Sequence, residues 1–145
     1  MMILVFEDRG IITYYLKKLL DIKGYDYQIA YSVRDADSLW NEYGLKIGGI
    51  ILDLNIPSIG LSDDEKNKTY GGLLTGWVWL KTRVLAKDTE MKNRVIIYTE
   101  YVDKLKEYVD EKSLAGIRII SKSNADTETS GEQVLIELKK IKEMK

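Results

Sequence analysis

The sequence predicts an α/β domain organised as a doubly wound, five-stranded parallel β-sheet with helices on both faces. Three observations carry this expectation. Apolar runs rich in β-branched residues recur at positions 3–6, 49–52, 95–98 and 117–120. Most of these runs are hydrophobic at nearly every position, the pattern of strands covered on both faces. Between them lie segments whose apolar residues fall at helical spacing, so strand and helix alternate along the chain.

Each element follows from its residues. Ile3-Leu4-Val5-Phe6 forms a first strand that stops at Glu7-Asp8. A helix follows over residues 11–23, with Ile12, Tyr15, Leu16, Leu19 and Leu20 on one stripe and Gly24 as its stop. Residues 27–31 alternate polar and apolar and read as an outer strand; Ser32 or Asp35 then begins a helix over 33–43. The third strand, 49–52, runs into Asp53, and the third helix is expected over 73–85. A fourth strand at 95–98, a helix over 102–112, a fifth strand at 117–120 and a helix over 132–144 complete the order, with Arg118 marking the fifth strand as nearer an edge.

Residues 58–72 break the rhythm with a polar, turn-rich connection between third strand and third helix, too long for an ordinary loop and expected to be functional. Its Asp63-Asp64-Glu65 run reads as a solvated acidic stretch, and packing against the sheet is the simpler reading of Trp40, Trp77 and Trp79. The charged stretch 139–145 reads as the exposed face of the last helix.

Composition narrows the function. At 145 residues the chain has the size of one domain, and no linker or repeat divides it. Its 45% hydrophobic and 31% charged residues suit a packed core, and a net charge of -1 gives no electrostatic basis for direct nucleic-acid binding. Without cysteine or histidine there can be no thiol catalysis, Cys/His zinc site, Ser-His-Asp triad or internal phosphohistidine. No stretch approaches the ~20 apolar residues of a membrane span, and the start is too short and too soon charged for a signal peptide. A cytoplasmic protein without membrane insertion is expected.

An ionised carboxylate directly after Ile50-Ile51-Leu52 costs several kcal/mol unless it is paired, so something must meet Asp53. In a parallel sheet the strand ends share one edge, where Glu7, Asp8, Asp53, Thr99 and Lys122 would gather. Clustered carboxylates repel, and a hard divalent cation such as Mg2+ relieves them. Asp53 could then attack a phosphoryl group, with Lys122 and the Thr99 hydroxyl suited to the transferred charge. Taken singly the residues also read as caps and a structural ion pair.

These positions resemble response-regulator receiver domains of two-component signalling. The resemblance rests on Val5-Phe6-Glu7-Asp8, on Asp53-Leu54-Asn55-Ile56-Pro57 as the family's Asp-x-x-x-Pro, on Ile96-Ile97-Tyr98-Thr99 and on Ile119-Ile120-Ser121-Lys122, and it spans nearly the whole chain. It implies a flavodoxin-like sheet in strand order 2-1-3-4-5 and a single receiver domain over residues 1–145. It further implies Asp53 as phosphoacceptor, Glu7 and Asp8 as the metal-binding pair, Asn55 as a metal ligand through its main-chain carbonyl, Thr99 as switch hydroxyl and Lys122 as phosphate contact. Mg2+, a sensor histidine kinase or phosphotransfer protein, and a separate output protein are the implied cofactor and partners. Gly76 resembles the glycine that opens the third helix, displaced by the insertion at 58–72.

Three positions depart from the family pattern: Glu100 where a small residue follows the hydroxyl, Ser123 where a proline follows the lysine, and Ile119 at the position of a switching aromatic. They motivate an alternative, a receiver-like scaffold that binds a partner without phosphorylation. An aspartyl-phosphate phosphohydrolase is a further alternative, though Asp53-Leu54-Asn55 lacks the second acid that would protonate a leaving group. A dinucleotide enzyme is disfavoured because Glu7-Asp8-Arg9-Gly10 replaces the expected glycine-rich turn.

Overall fold

Residues 1–122 and 127–144 are described by the computed structural model. Strands β1 (Met2–Phe6), β2 (Asp26–Ala30), β3 (Ile47–Leu52), β4 (Val95–Thr99) and β5 (Arg118–Ser121) form one parallel sheet in the order β2-β1-β3-β4-β5. This is the expected order, and its direction reverses between β1 and β3, which opens a crevice at their carboxyl ends.

The period of two in each strand divides the core into two layers. Leu4, Phe6, Ile50, Leu52, Val95 and Ile97 face one side, where α2 (Val33–Tyr43) and the helix from Thr75 pack. Ile3, Val5, Ile51, Ile96 and Tyr98 face the other, against α1 (Gly10–Ile22) and α7 (Thr127–Lys142). Residues 3–6 of β1 are fully buried, as their unbroken hydrophobicity requires. No helix among the described residues is long and apolar enough to cross a membrane.

Helix boundaries differ from expectation where local chemistry intervenes. The third long helix begins at Thr75, as α4 (Thr75–Trp79), and widens into a π-helical segment over Leu80–Leu85. The helix expected over 102–112 divides into α5 (Val102–Tyr108) and α6 (Glu111–Leu114), because Val109 turns extended and the Asp110 carboxylate restarts the helix by accepting from Ser113 N at 2.7 Å. α7 begins earlier than residue 132, and Gly131 admits it close to α1, since a Cβ there would lie 2.6 Å from the Tyr15 ring. Trp77 and Trp79 are both buried; Trp79 stands edge-on to Phe6 and Trp40 and donates to Asp37 Oδ1 at 2.9 Å.

The inserted segment 58–72 is built, not slack. Ser62 and Glu65 form a reciprocal capping box around the short helix α3 (Asp63–Lys66). Both Glu65 carboxylate oxygens meet the Arg83 guanidinium, which also reaches Asp37 at 3.3 Å, so α3, α4 and α2 are tied through one arginine. At the far end the Tyr70 ring stacks on Tyr108 of α5 with centroids 3.8 Å apart, although Tyr70 must adopt a left-handed backbone conformation at φ 52° to do so.

The Arg83 hydrogen bond, outweighing burial and helped by Ser62, pulls the Glu65 carboxyl down to about 2. A depressed carboxylate pKa stabilises the fold fully above the ordinary 4.5, and that contribution is lost as the pH falls towards 2. Glu65→Gln should therefore cost about 1–2 kcal/mol at neutral pH, allowing for solvent screening. The difference from wild type should vanish near the acid end of a urea-denaturation series. Gly76 supplies a second test. A Cβ at this position would lie 2.0 Å from the Asp53 carbonyl oxygen, while its own N–H donates to Leu54 O at 2.9 Å. Gly76→Ala should destabilise by about 3 kcal/mol or more in chemical denaturation, whereas Gly10→Ala, whose Cβ meets nothing, should change stability by under about 1 kcal/mol.

Candidate functional site

The parallel register delivers the site residues to one edge. Phe6 pairs with Leu52, so Glu7 and Asp53 leave adjacent strands side by side, and Asp53 N donates to Phe6 O at 2.9 Å. Thr99 ends β4, and its carbonyl accepts from Lys122 N at 3.0 Å, which places Lys122 directly past β5. The Lys122 ammonium then crosses back over the sheet end to Glu7 Oε2 at 2.6 Å and Asp53 Oδ2 at 3.1 Å. Asp53 Oδ1 accepts from Leu54 N at 2.7 Å and Glu7 Oε1 from Arg9 N at 3.0 Å. All three side chains are nearly excluded from solvent, with side-chain exposures of 3% for Glu7, 6% for Asp53 and 5% for Lys122. Asp8 lies next to them and is exposed.

Charge is out of balance here. Burial, reinforced by the Asp53 charge and opposed by Lys122, pushes the Glu7 carboxyl up to about 7. Asp8 is raised as well, by burial and then by Asp53. Burial would lower Lys122, but the Asp53 and Glu7 carboxylates outweigh it and hold the ammonium above its ordinary pKa. One cation among three carboxylates leaves the cluster short of positive charge. Ligand oxygens of Glu7, Asp8 and Asp53 lie within 4.8 Å of one another. An all-oxygen donor set without nitrogen or sulfur suits a hard divalent ion, so the residues present fit Mg2+.

A cleft of about 340 Å³ opens above the cluster, walled by Asp8, Arg9, Asp53, Asn55, Glu100 and Tyr101. Glu7 does not line it, since both its oxygens are engaged below. Thr99 is fully buried, and its hydroxyl accepts from Tyr101 N at 3.2 Å. The structure thus brings Glu7, Asp8, Asp53 and Lys122 into one charged cluster, with Asn55 on the cleft wall and Thr99 beneath its rim.

Arg9 was not legible as a site residue. It pairs with Glu100 across the mouth at 2.5 Å, a contact between residues on different loops that no local motif announces. The pairing compensates the Glu100 carboxylate. Tyr98 faces the α1 and α7 side, where its hydroxyl meets Ser130 Oγ at 2.5 Å and its ring lies 5.0 Å from the Lys122 ammonium. Ile119 is partly buried beside the opposite layer. Ser123 lies outside the described residues.

No family model matches the chain, and no curated protein matches it. Solved structures do. The non-phosphorylated HemR receiver domain from Leptospira biflexa is similar at a TM-score of 0.69 and 19% identity, over 99% of this chain and 95% of that one. A response-regulator receiver domain protein from Clostridium thermocellum gives 0.65 at 22% identity, over 97% of this chain and 96% of that one. A response-regulator receiver domain of Francisella gives 0.61 at 22% identity, over 96% and 97%. At such identities the likeness speaks to architecture, and it agrees with the parallel sheet and strand order described above. The chain has the receiver-domain fold of response regulators.

Proposed function

We propose that this domain is a response-regulator receiver that accepts a phosphoryl group on Asp53 from the phosphohistidine of a sensor histidine kinase or phosphotransfer protein. The observation that carries the reading is the pairing of Asp53 with Lys122, both side chains nearly excluded from solvent, with Asp53 on the wall of the cleft.

Two hydrogen bonds orient the Asp53 carboxylate: Leu54 N–H donates to Oδ1 and Lys122 to Oδ2. A carboxylate oxygen attacks phosphorus, the bond to the donor imidazole nitrogen breaks, and that nitrogen keeps the electron pair. Negative charge spreads over the phosphoryl oxygens as this happens. Lys122, held protonated by two carboxylates, can move from Asp53 towards those oxygens without losing Glu7. The Thr99 hydroxyl, which accepts from Tyr101 N, has its own proton to donate to the phosphoryl group. Asp8, Asp53 and the Asn55 main-chain carbonyl, with Glu7 behind them, would hold Mg2+, which supplies the missing positive charge for the incoming phosphoryl oxygens.

Signalling requires the modified and unmodified states to differ on a surface that a separate output protein reads. Moving such an equilibrium from mostly one state to mostly the other takes about 3–5 kcal/mol, within reach of a multiply charged group newly bonded to Lys122 and Thr99. Strands β4 and β5, at whose ends these two residues stand, with α5 and α7 beside them, are the natural carriers.

Incubation with phosphoramidate or acetyl phosphate and Mg2+ should add one phosphoryl group to the wild type by intact mass and none to Asp53→Asn. Full labelling of that variant would remove Asp53 as acceptor. Calorimetric titration should show Mg2+ affinity falling at least about tenfold in Asp8→Asn, the loss of one anionic oxygen ligand. An unchanged affinity would take Asp8 out of the ligand set.

A further inference from the structure

Beyond the acceptor site, the flank of α4 carries a furrow whose composition differs from the rest of the surface. One cleft of about 380 Å³ lies between α4, α5 and the inserted segment, with Leu74, Trp77 and Val78 as floor and Tyr70 and Tyr108 as wall. A second, of about 280 Å³, continues along the same helix past Leu85 towards α6. The two share Trp77 and Lys81 and so run on from one another. Lys68, Lys81 and Lys92 are spaced along this length, and none forms an ion pair among the described residues. Asp110, which feels the Lys81 charge, is itself occupied in capping α6.

No carboxylate among the described residues lines either cleft. The chain carries 23 acidic residues against 22 basic, so a furrow with three lysines and no acid is not what composition alone would place there. The clefts at the strand ends, beside α2 and between α1 and α7 each include at least one carboxylate. The furrow also depends on the insertion, because Asn67, Lys68 and Tyr70 build its wall, and the Tyr70–Tyr108 stack sets the separation of that wall from α5.

We infer that this furrow docks an acidic amphipathic segment of a partner protein. An aromatic or aliphatic anchor fits the Leu74, Trp77 and Val78 floor, and flanking carboxylates meet the three ammonium groups at the rim. Phenol and amide donors of Tyr70, Tyr108 and Asn67 add acceptor-seeking groups along the same wall. A nucleic-acid strand is a poorer match. Three lysines neutralise few phosphates, the chain as a whole is slightly acidic, and the Tyr70 and Tyr108 faces that would stack on bases are already stacked on each other.

The test is selection of peptides from an unbiased displayed library on the wild-type protein. Selected sequences should be rich in Asp and Glu around a Phe, Trp or Leu. Their affinity should fall about tenfold or more in a Lys68→Glu, Lys81→Glu, Lys92→Glu variant and stay unchanged in a Lys17→Glu, Lys106→Glu, Lys139→Glu control of equal charge change. Asp53→Asn should bind at wild-type affinity, which keeps this result separate from that for the acceptor site. Neutral or basic selected sequences, undiminished binding by the triple variant, or tighter binding of an oligothymidylate strand than of the selected peptides would overturn the inference.

Discussion

Lys122 reaches from the end of β5 to two carboxylates that leave β1 and β3, and the closed end of the sheet depends on that reach. Glu7 and Asp53 follow strands buried on both faces, so each would be a desolvated charge without a partner. A single ammonium bonded to both makes their burial tolerable and leaves the pair short of one positive charge. The shortage shows in Glu7, driven up to about 7 chiefly by burial and further by the Asp53 charge. Stability and chemistry therefore pull against each other at one lysine. The arrangement holds together as it stands, and the proposed cation and phosphoryl group would each act on that same imbalance.

Around this centre the backbone is tightly constrained. The Gly76 N–H closes the connection from β3 by bonding to Leu54 O, and its missing side chain is what allows the Asp53 carbonyl so near. The loop that carries Asp53 is thus fixed at both ends, by Phe6 O on the strand side and by α4 on the other. The inserted segment leaves this loop and returns to it, tied down by the Glu65 and Arg83 pair at one end and the Tyr70 and Tyr108 stack at the other. A loop rooted beside Asp53 and resting on α5 links the charged cluster to a remote surface through packed contacts.

Much of this was legible in the sequence because it follows from one-dimensional patterns. Unbroken runs such as Ile50-Ile51-Leu52 announce doubly covered strands, alternation with helical spacing announces parallel pairing, and an acid or lysine at the end of such a run announces a shared polar edge. What escaped notice has a common cause. Arg9 and Glu100 meet only because two loops converge, the break after Tyr108 depends on Asp110 capping a new turn, and the π-helical widening at Leu80–Leu85 has no simple residue signature. The insertion was read as a polar loop, yet Ser62 and Glu65 three apart were a capping-box signal that could have placed α3.

The sequence by itself determined the architecture and the chemical inventory: which runs form strands, in what alternation with helices, and which carboxylates, hydroxyl and lysine stand at strand ends. Those facts are local, set by side-chain period and by the cost of burying charge. Only the tertiary structure decided how that inventory is wired. It put Glu7 below the cleft on Lys122 and Asp8 in its wall, and it folded the insertion onto α4 and α5 so that a furrow results in which lysines, and no carboxylate among the described residues, stand at the rim. These outcomes depend on distances between residues far apart in the chain, which the packing of helices on the sheet fixes and which no local pattern encodes.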